Sequence, residues 1–391
     1  MLRNKDKGIT LIALVITIII LLILAGISIS ALTNQGLFKN AKIAQNATEK
    51  AEKEQGQRLN EYEDEINKYL GNSKDESKDD TKGTTVEEAI KKNGALSTTD
   101  NTELKDAKNN KIVVPAGFKI VEGATTVDKG IVIEDVTETA TKGSQFVWVP
   151  VGTITKADGT TTTITLGRYD FNSTTGVESA YTGTYVEEDS NDSSTLKKYG
   201  NTIAKNITNF KNSVAQNGGY YIGRYEARTA TARSAKTDAL TQITEKGTEN
   251  VYNYVTQLQA AQLSQNMYTS NKFTSDLMNS YAWDTATVFI QNCGTNAKYS
   301  RQNSLNTSLL QTGTNSLSDT SKIDVQCNIY DMASNTIEWT TETSNISNGP
   351  CVVRGGNYGY SSDYTSIRSN GISTSYSDFR MGFRPLLYVN V

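Results

Sequence analysis

The sequence contains no histidine. That single absence removes Ser-His-Asp and Cys-His catalysis, histidine-ligated zinc and histidine pH switching. Cysteine is nearly absent as well. Cys293, Cys327 and Cys351 show no CxxC spacing, so neither a thiolate metal site nor a thioredoxin-like pair is indicated. Three buried thiols are the plainer reading; one disulfide with a thiol left over is the alternative, with Cys327–Cys351 the bridge to test first. An excess of positive charge is also missing. The net charge is -3 and the pI about 5.4, which gives no general drive toward nucleic acid. Hydrophobic residues make up 37%, and many of them fall near the N-terminus. The remainder is rich in Thr, Ser, Asn, Gly and Tyr, a composition common on secreted and surface proteins. A length of 391 residues accommodates one large domain with accessory segments, or two modest domains.

Residues 1–8 form a short basic segment, and an apolar run occupies 9–32. As a helix that run is roughly 36 Å long, enough to cross a bilayer with some tilt. Its hydroxyl residues Thr10, Thr17, Ser28 and Ser30 can bond back to their own helix. Basic residues before the span and a long polar chain after it predict an N-terminus inside the cell and the bulk outside. The run is too long for the apolar core of a secretory signal. KGITLIALVITIII resembles the N-terminus of type IV pilins and pseudopilins. The resemblance implies cleavage between Gly8 and Ile9, and an apolar helix that anchors the protein and engages pilus or secretion-system components. The fifth residue after that junction is Ala13, where polymerising pilins carry Glu, so a minor pilin-like role fits better than a major subunit.

Residues 33–70 favour a helical stalk, with Leu59, Tyr62, Ile66 and Tyr69 at helical spacing and Gly71 as its stop. Residues 71–111 read as a flexible polar linker with a short helix over Val86–Lys92. The head is predicted over 112–391. VVPAGFKIV, GIVIEDV and SQFVWVPVG read as short strands, 153–215 as a loop-rich insertion, and Asn217–Arg228 as a buried strand entering a charged turn. Val251–Leu263 and Ser280–Gln291 have helical spacing. Strands, two helices and further strands predict an α+β head.

Three late blocks carry the rest. In YDMASNTIEW, Asp331 and Glu338 flank a tight turn at Ser334-Asn335, and carboxylates with turn carbonyls are the hard oxygen donors calcium takes. CVVRGGNY places a cation before two glycines that permit close backbone approach. MGFRP closes the domain. With VWVPVG, GGYYIGRYEA and WDTA, these blocks resemble the formylglycine-generating enzyme (sulfatase-modifying factor) domain, which has a C-type-lectin-like fold. The resemblance implies a structural calcium held by Asp331, Ser334, Thr336 and Glu338, Ser334 and Thr336 through their carbonyls. Read from the residues alone, Arg354, Arg380 and Arg384 are structural cations for buried carboxylates or carbonyls, and Trp148, Trp339 and Phe383 are core positions rather than site residues.

The enzymes of that family work through two cysteines whose matched positions here are Tyr360 and Thr365, so the sequence predicts a scaffold without the catalyst. What remains is a Tyr/Ser/Asn-rich segment, 357–379, of antibody-paratope composition. We expect a protein or glycan ligand to meet Asn357, Tyr358, Tyr360, Ser362, Asp363, Tyr364, Ser366, Arg368 and Tyr376. The same stretch resembles the variable region of diversity-generating retroelement target proteins. A membrane-anchored receptor or adhesin is the leading expectation; a minor pilin comes second and residual enzymatic activity third.

Overall fold

The chain divides into two compact units, Met1–Asp79 and Asp80–Val391. The computed structural model describes residues 84–187, 204–312, 319–360 and 362–391, all in the second unit. The basic segment with its Gly8–Ile9 junction, the apolar span 9–32 and the stalk 33–70 lie outside the described residues. Among the described residues, no helix is long and apolar enough to cross a membrane.

The described unit is mixed α+β, with two main sheets, several two-stranded ribbons and four α-helices. The helices are α1 (Val86–Lys92), α2 (Ile207–Asn217), α3 (Gln257–Gln265) and α4 (Ser280–Cys293). The ten strands of the main sheets are β1 (Phe118–Ile120), β2 (Val132–Asp135), β3 (Gln145–Pro150), β4 (Gly219–Gly223), β5 (Phe273–Leu277), β6 (Ile337–Thr343), β7 (Cys351–Arg354), β8 (Arg368–Ile372), β9 (Met381–Phe383) and β10 (Pro385–Val389).

The larger sheet is antiparallel in the order β5-β10-β4-β3-β2-β1. Its central strands read as unbroken apolar runs because both faces are covered: FVWVP and YYI are buried at every position. Trp148 pairs with Tyr221 across the sheet, their rings 4.9 Å apart. The late strand β10 lies between β4 and β5, inside the sheet rather than at its edge.

The smaller sheet runs β8-β7-β6-β9, with β6 and β9 parallel and the other pairs antiparallel. Helix α4 is capped by Asn279, whose side chain accepts from the Ala282 amide at 2.9 Å. Nearly every side chain of α4 is buried, and Trp283 and Trp339 are fully enclosed.

Two domain boundaries differ from expectation. The head begins well before residue 112. Helix α1 carries a capping box between Thr85 and Glu88, and Val86, Ala89 and Leu104 are buried in the main core. Thr102–Lys105 pairs with Lys111–Val114. The stretch is polar and few apolar residues anchor it, but those few are enclosed. The segment 153–215 likewise holds two ribbons, Gly152–Thr155 with Thr161–Ile164 and Tyr169–Phe171 with Glu178–Ala180, and helix α2. Asn206 caps α2, and Phe210 packs on Tyr220 and Tyr388.

The cysteines are free. Burial pushes the Cys293 and Cys351 thiols up to about 12 and Cys327 higher, so all three sit as neutral core thiols, and the Cys327–Cys351 bridge is not formed.

Candidate functional site

The YDMASNTIEW turn depends on two left-handed residues, Asp331 at φ 63° and Asn335 at φ 64°. Asp and Asn tolerate that conformation better than branched residues do. The turn is fastened from outside by Glu226, which follows β4. Its carboxylate accepts from the Thr336 amide at 2.8 Å, the Thr336 hydroxyl at 2.6 Å and the Asn335 side-chain amide at 2.6 Å. The Asn335 side-chain oxygen in turn accepts from the Leu310 amide at 2.9 Å.

The expected calcium set meets other partners. Glu338 is fully buried, and Arg384 donates to both its oxygens, at 2.7 and 3.3 Å. The same guanidinium donates to the carbonyls of Gly223 and Tyr330. A dication at Glu338 would stand against a buried cation within hydrogen-bonding reach of the same carboxylate, so Glu338 does not fit as a calcium ligand. Ser334 uses its hydroxyl to accept from Leu305, and Asp331 engages Asp324 and Ser334 through its backbone. Among the described residues, no group of three or more acidic or cysteine side chains is placed to hold a metal ion.

The RGG block packs directly on this turn. A Cβ on Gly356 would lie 2.3 Å from the Ala333 carbonyl oxygen, and one on Gly355 2.8 Å from that of Met332. Both glycines are therefore required by close backbone approach. Arg354 points into a second buried network, where it meets Asp284 of α4 and Glu342 of β6. Arg368 also binds Asp284, and it binds Glu342 at 2.9 Å; Arg168 binds Glu342 as well. Burial alone would raise the Glu342 carboxyl, but the guanidiniums of Arg368, Arg354 and Arg168 outweigh it and hold it below its ordinary value.

These two frames hold the segment 357–379 between them. Asn357, at 2% exposure, is a loop fastener: its side chain donates to Asp363 at 2.9 Å and accepts from the Gly359 amide. Arg368, with its side chain 9% exposed and both carboxylates engaged, supports the segment from below and does not offer its guanidinium to a ligand. Tyr358 is half-buried against Phe379. Thr365 is fully buried, and its carbonyl accepts from the Trp283 indole at 2.9 Å.

Of the expected contact residues, those that are exposed are Tyr360, at 50%, Ser362, and Tyr376, at 40%. Arg380 ties the two tyrosines together, donating to Tyr360 at 2.8 Å and to Tyr376 at 3.4 Å while paired with Asp378. Between them lies a cleft of about 380 Å³. Ile337, Val353, Ile372 and Met381 form its apolar floor, and Asn357, Asp363, Ser369 and Ser373 its polar walls.

Tyr364 and Ser366 do not line this cleft. They line a second cleft of about 490 Å³ with Asp170, Tyr181, Tyr185 and Arg301. Nothing local in the sequence marks Arg301, Tyr181 and Tyr185: two of them sit in what reads as a surface insertion, and none belongs to a motif. Another cleft, of about 540 Å³, lies apart from this segment near Gly117 and Asp135, where Thr137, Thr141 and Tyr268 already bond the Asp135 carboxylate.

No family model matches this chain, and no curated protein matches it. Among solved structures it is similar to Treponema denticola variable protein 1, at 14% identity and a TM-score of 0.33, over 63% of this chain and 97% of that chain.

Proposed function

We propose that the protein is a non-catalytic, ligand-binding surface protein: a formylglycine-generating-enzyme-like, lectin-type head behind a pilin-like anchor. The observation that carries this reading is the cleft between Tyr360 and Tyr376. It has a fixed apolar floor, exposed aromatic side chains and a bridging arginine, all set on buried ion-pair networks. Rigid exposed tyrosines among serines and asparagines give large contact area at low entropy cost. Pockets of this size with a few convergent polar groups are the usual form of ligand sites. The ligand is a protein or a glycan. A binding screen of the full chain against both classes, repeated with Tyr360→Ala and Tyr376→Ala, tests it. Binding partners that survive both substitutions unchanged would overturn the assignment.

The division of the segment also supports diversification by a retroelement. Arg354 to Asn357 and Met381 to Arg384 are buried, while the stretch between them is largely exposed or half-exposed. A near-identical template repeat beside a reverse-transcriptase gene is the expected genomic sign. The anchor is read from KGITLIALVITIII, which also keeps a minor-pilin role as the second reading. Mass spectrometry of the mature protein is expected to find Ile9 at its N-terminus, and an intact Met1 would remove the processing step.

A further inference from the structure

We infer that the second cleft, lined by Tyr364 and Ser366, is a separate site for the carboxylate of an acidic saccharide. It goes beyond the tyrosine cleft, from which it takes none of its lining residues. The argument starts at Arg301. Arg168, Arg354 and Arg368 are neutralised by Asp284 and Glu342. Among the described residues, the Arg301 guanidinium has no carboxylate and no hydrogen-bond acceptor. Its contact is with the Tyr364 ring, whose centroid lies 3.4 Å from the guanidinium carbon. A guanidinium stacked so closely has a face covered, and its in-plane N–H fork remains for a planar anion such as a carboxylate.

The fork is fixed in place. Residues 299–302 are fastened to the segment by backbone bonds from Thr365 to Gln302 and from Ser366 to Ser300, both at 3.1 Å. Asn303 bridges to Tyr364. Opposite Arg301, Tyr181 is held between Arg168 and Arg368, at 4.4 and 4.2 Å, and its hydroxyl accepts from the Tyr185 amide. The same cleft is lined by Tyr185, Ser366 and Thr184, by Arg368, which Asp284 and Glu342 neutralise, and by Asp170, whose carboxylate accepts from the Thr182 amide and hydroxyl. Many polar groups around one unpaired cation suit a ring bearing several hydroxyls and one carboxylate, and they offer little to an apolar side chain.

The test is calorimetric titration of the full chain in detergent with trigalacturonate and with neutral galactotriose. Trigalacturonate is expected to bind at least about tenfold more tightly, and to weaken as NaCl rises from about 0.05 to about 0.5 M. Arg301→Gln is expected to abolish the preference. Arg301→Lys, which keeps the charge but not the fork, is expected to lose most of it. Because the Arg301 guanidinium donates no hydrogen bond to any described residue and its amide bond to Lys298 is kept in both variants, both should melt with the parent. Tyr360→Ala leaves this titration unchanged, so failure here and failure of the tyrosine cleft are told apart. Equal affinity for the neutral trisaccharide, no response to Arg301→Gln, or tighter binding of pentaglutamate than of trigalacturonate would each overturn the inference.

Discussion

Glu342 receives three arginines in the interior of the head, and its replacement is the most informative single change. Glu342→Gln leaves Arg354 and Arg368 sharing Asp284 and Arg168 with the Tyr185 carbonyl alone, a loss of about 3–5 kcal/mol by denaturant titration, the usual cost of breaking a buried pair. The pH dependence has a definite sign. A carboxyl held below its ordinary value of 4.5 in the folded state contributes stability above that value, and loses it as pH falls through the lower folded value. The parent should therefore weaken on acidification below pH 4.5, and Glu342→Gln should show a smaller fall over the same range. Glu226 has the matching role beneath the YDMASNTIEW turn. Glu226→Gln removes acceptor capacity from three donors and is expected to cost about 1–3 kcal/mol. With Arg384 on Glu338, we expect the melting temperature to be the same in calcium and in chelator; a rise in calcium would show that the turn binds the ion.

At the scale of elements, helix α4 and the RGG turn set the shape of the exposed segment. Trp283 fastens the backbone at Thr365, and the two glycines seat β7 against the Met332-Ala333 backbone. Gly356→Ala places a methyl 2.3 Å from a carbonyl oxygen, so the turn or the strand must move, at a cost of about 1–3 kcal/mol. Tyr360→Ala and Tyr376→Ala behave differently. Both side chains are substantially exposed, and their removal should change stability by less than about 0.5 kcal/mol while reducing ligand binding. A variant that loses binding only in proportion to lost stability would place these tyrosines in the framework.

For the whole molecule, the boundary of the head is directly testable. A chain beginning at Asp80 should unfold at a higher temperature than one beginning at Ile112, because the shorter chain lacks Val86, Ala89 and Leu104 from the core. Equal melting temperatures would return 84–111 to the status of a linker.

The sequence by itself determined the mixed strand-and-helix character, helix α4 within two residues of its end, the short helix Val86–Lys92, and the burial of Trp148, Trp339 and Phe383. These follow from local periodicity and from side chains too large and apolar to leave in water. It also marked 357–379 as the unusual surface, since composition is a local property. Only the tertiary structure decided which members of that segment face outward. Asn357 and Arg368 read as contacts, yet they are consumed by Asp363, Asp284 and Glu342, partners up to 84 residues away. Tyr360 and Tyr376 share one cleft because Arg380 stands between them, and Tyr364 joins Arg301 in another. Charged residues carry no label saying whether their partner is a ligand or the protein. That is settled by which carboxylates the fold delivers to the same buried point.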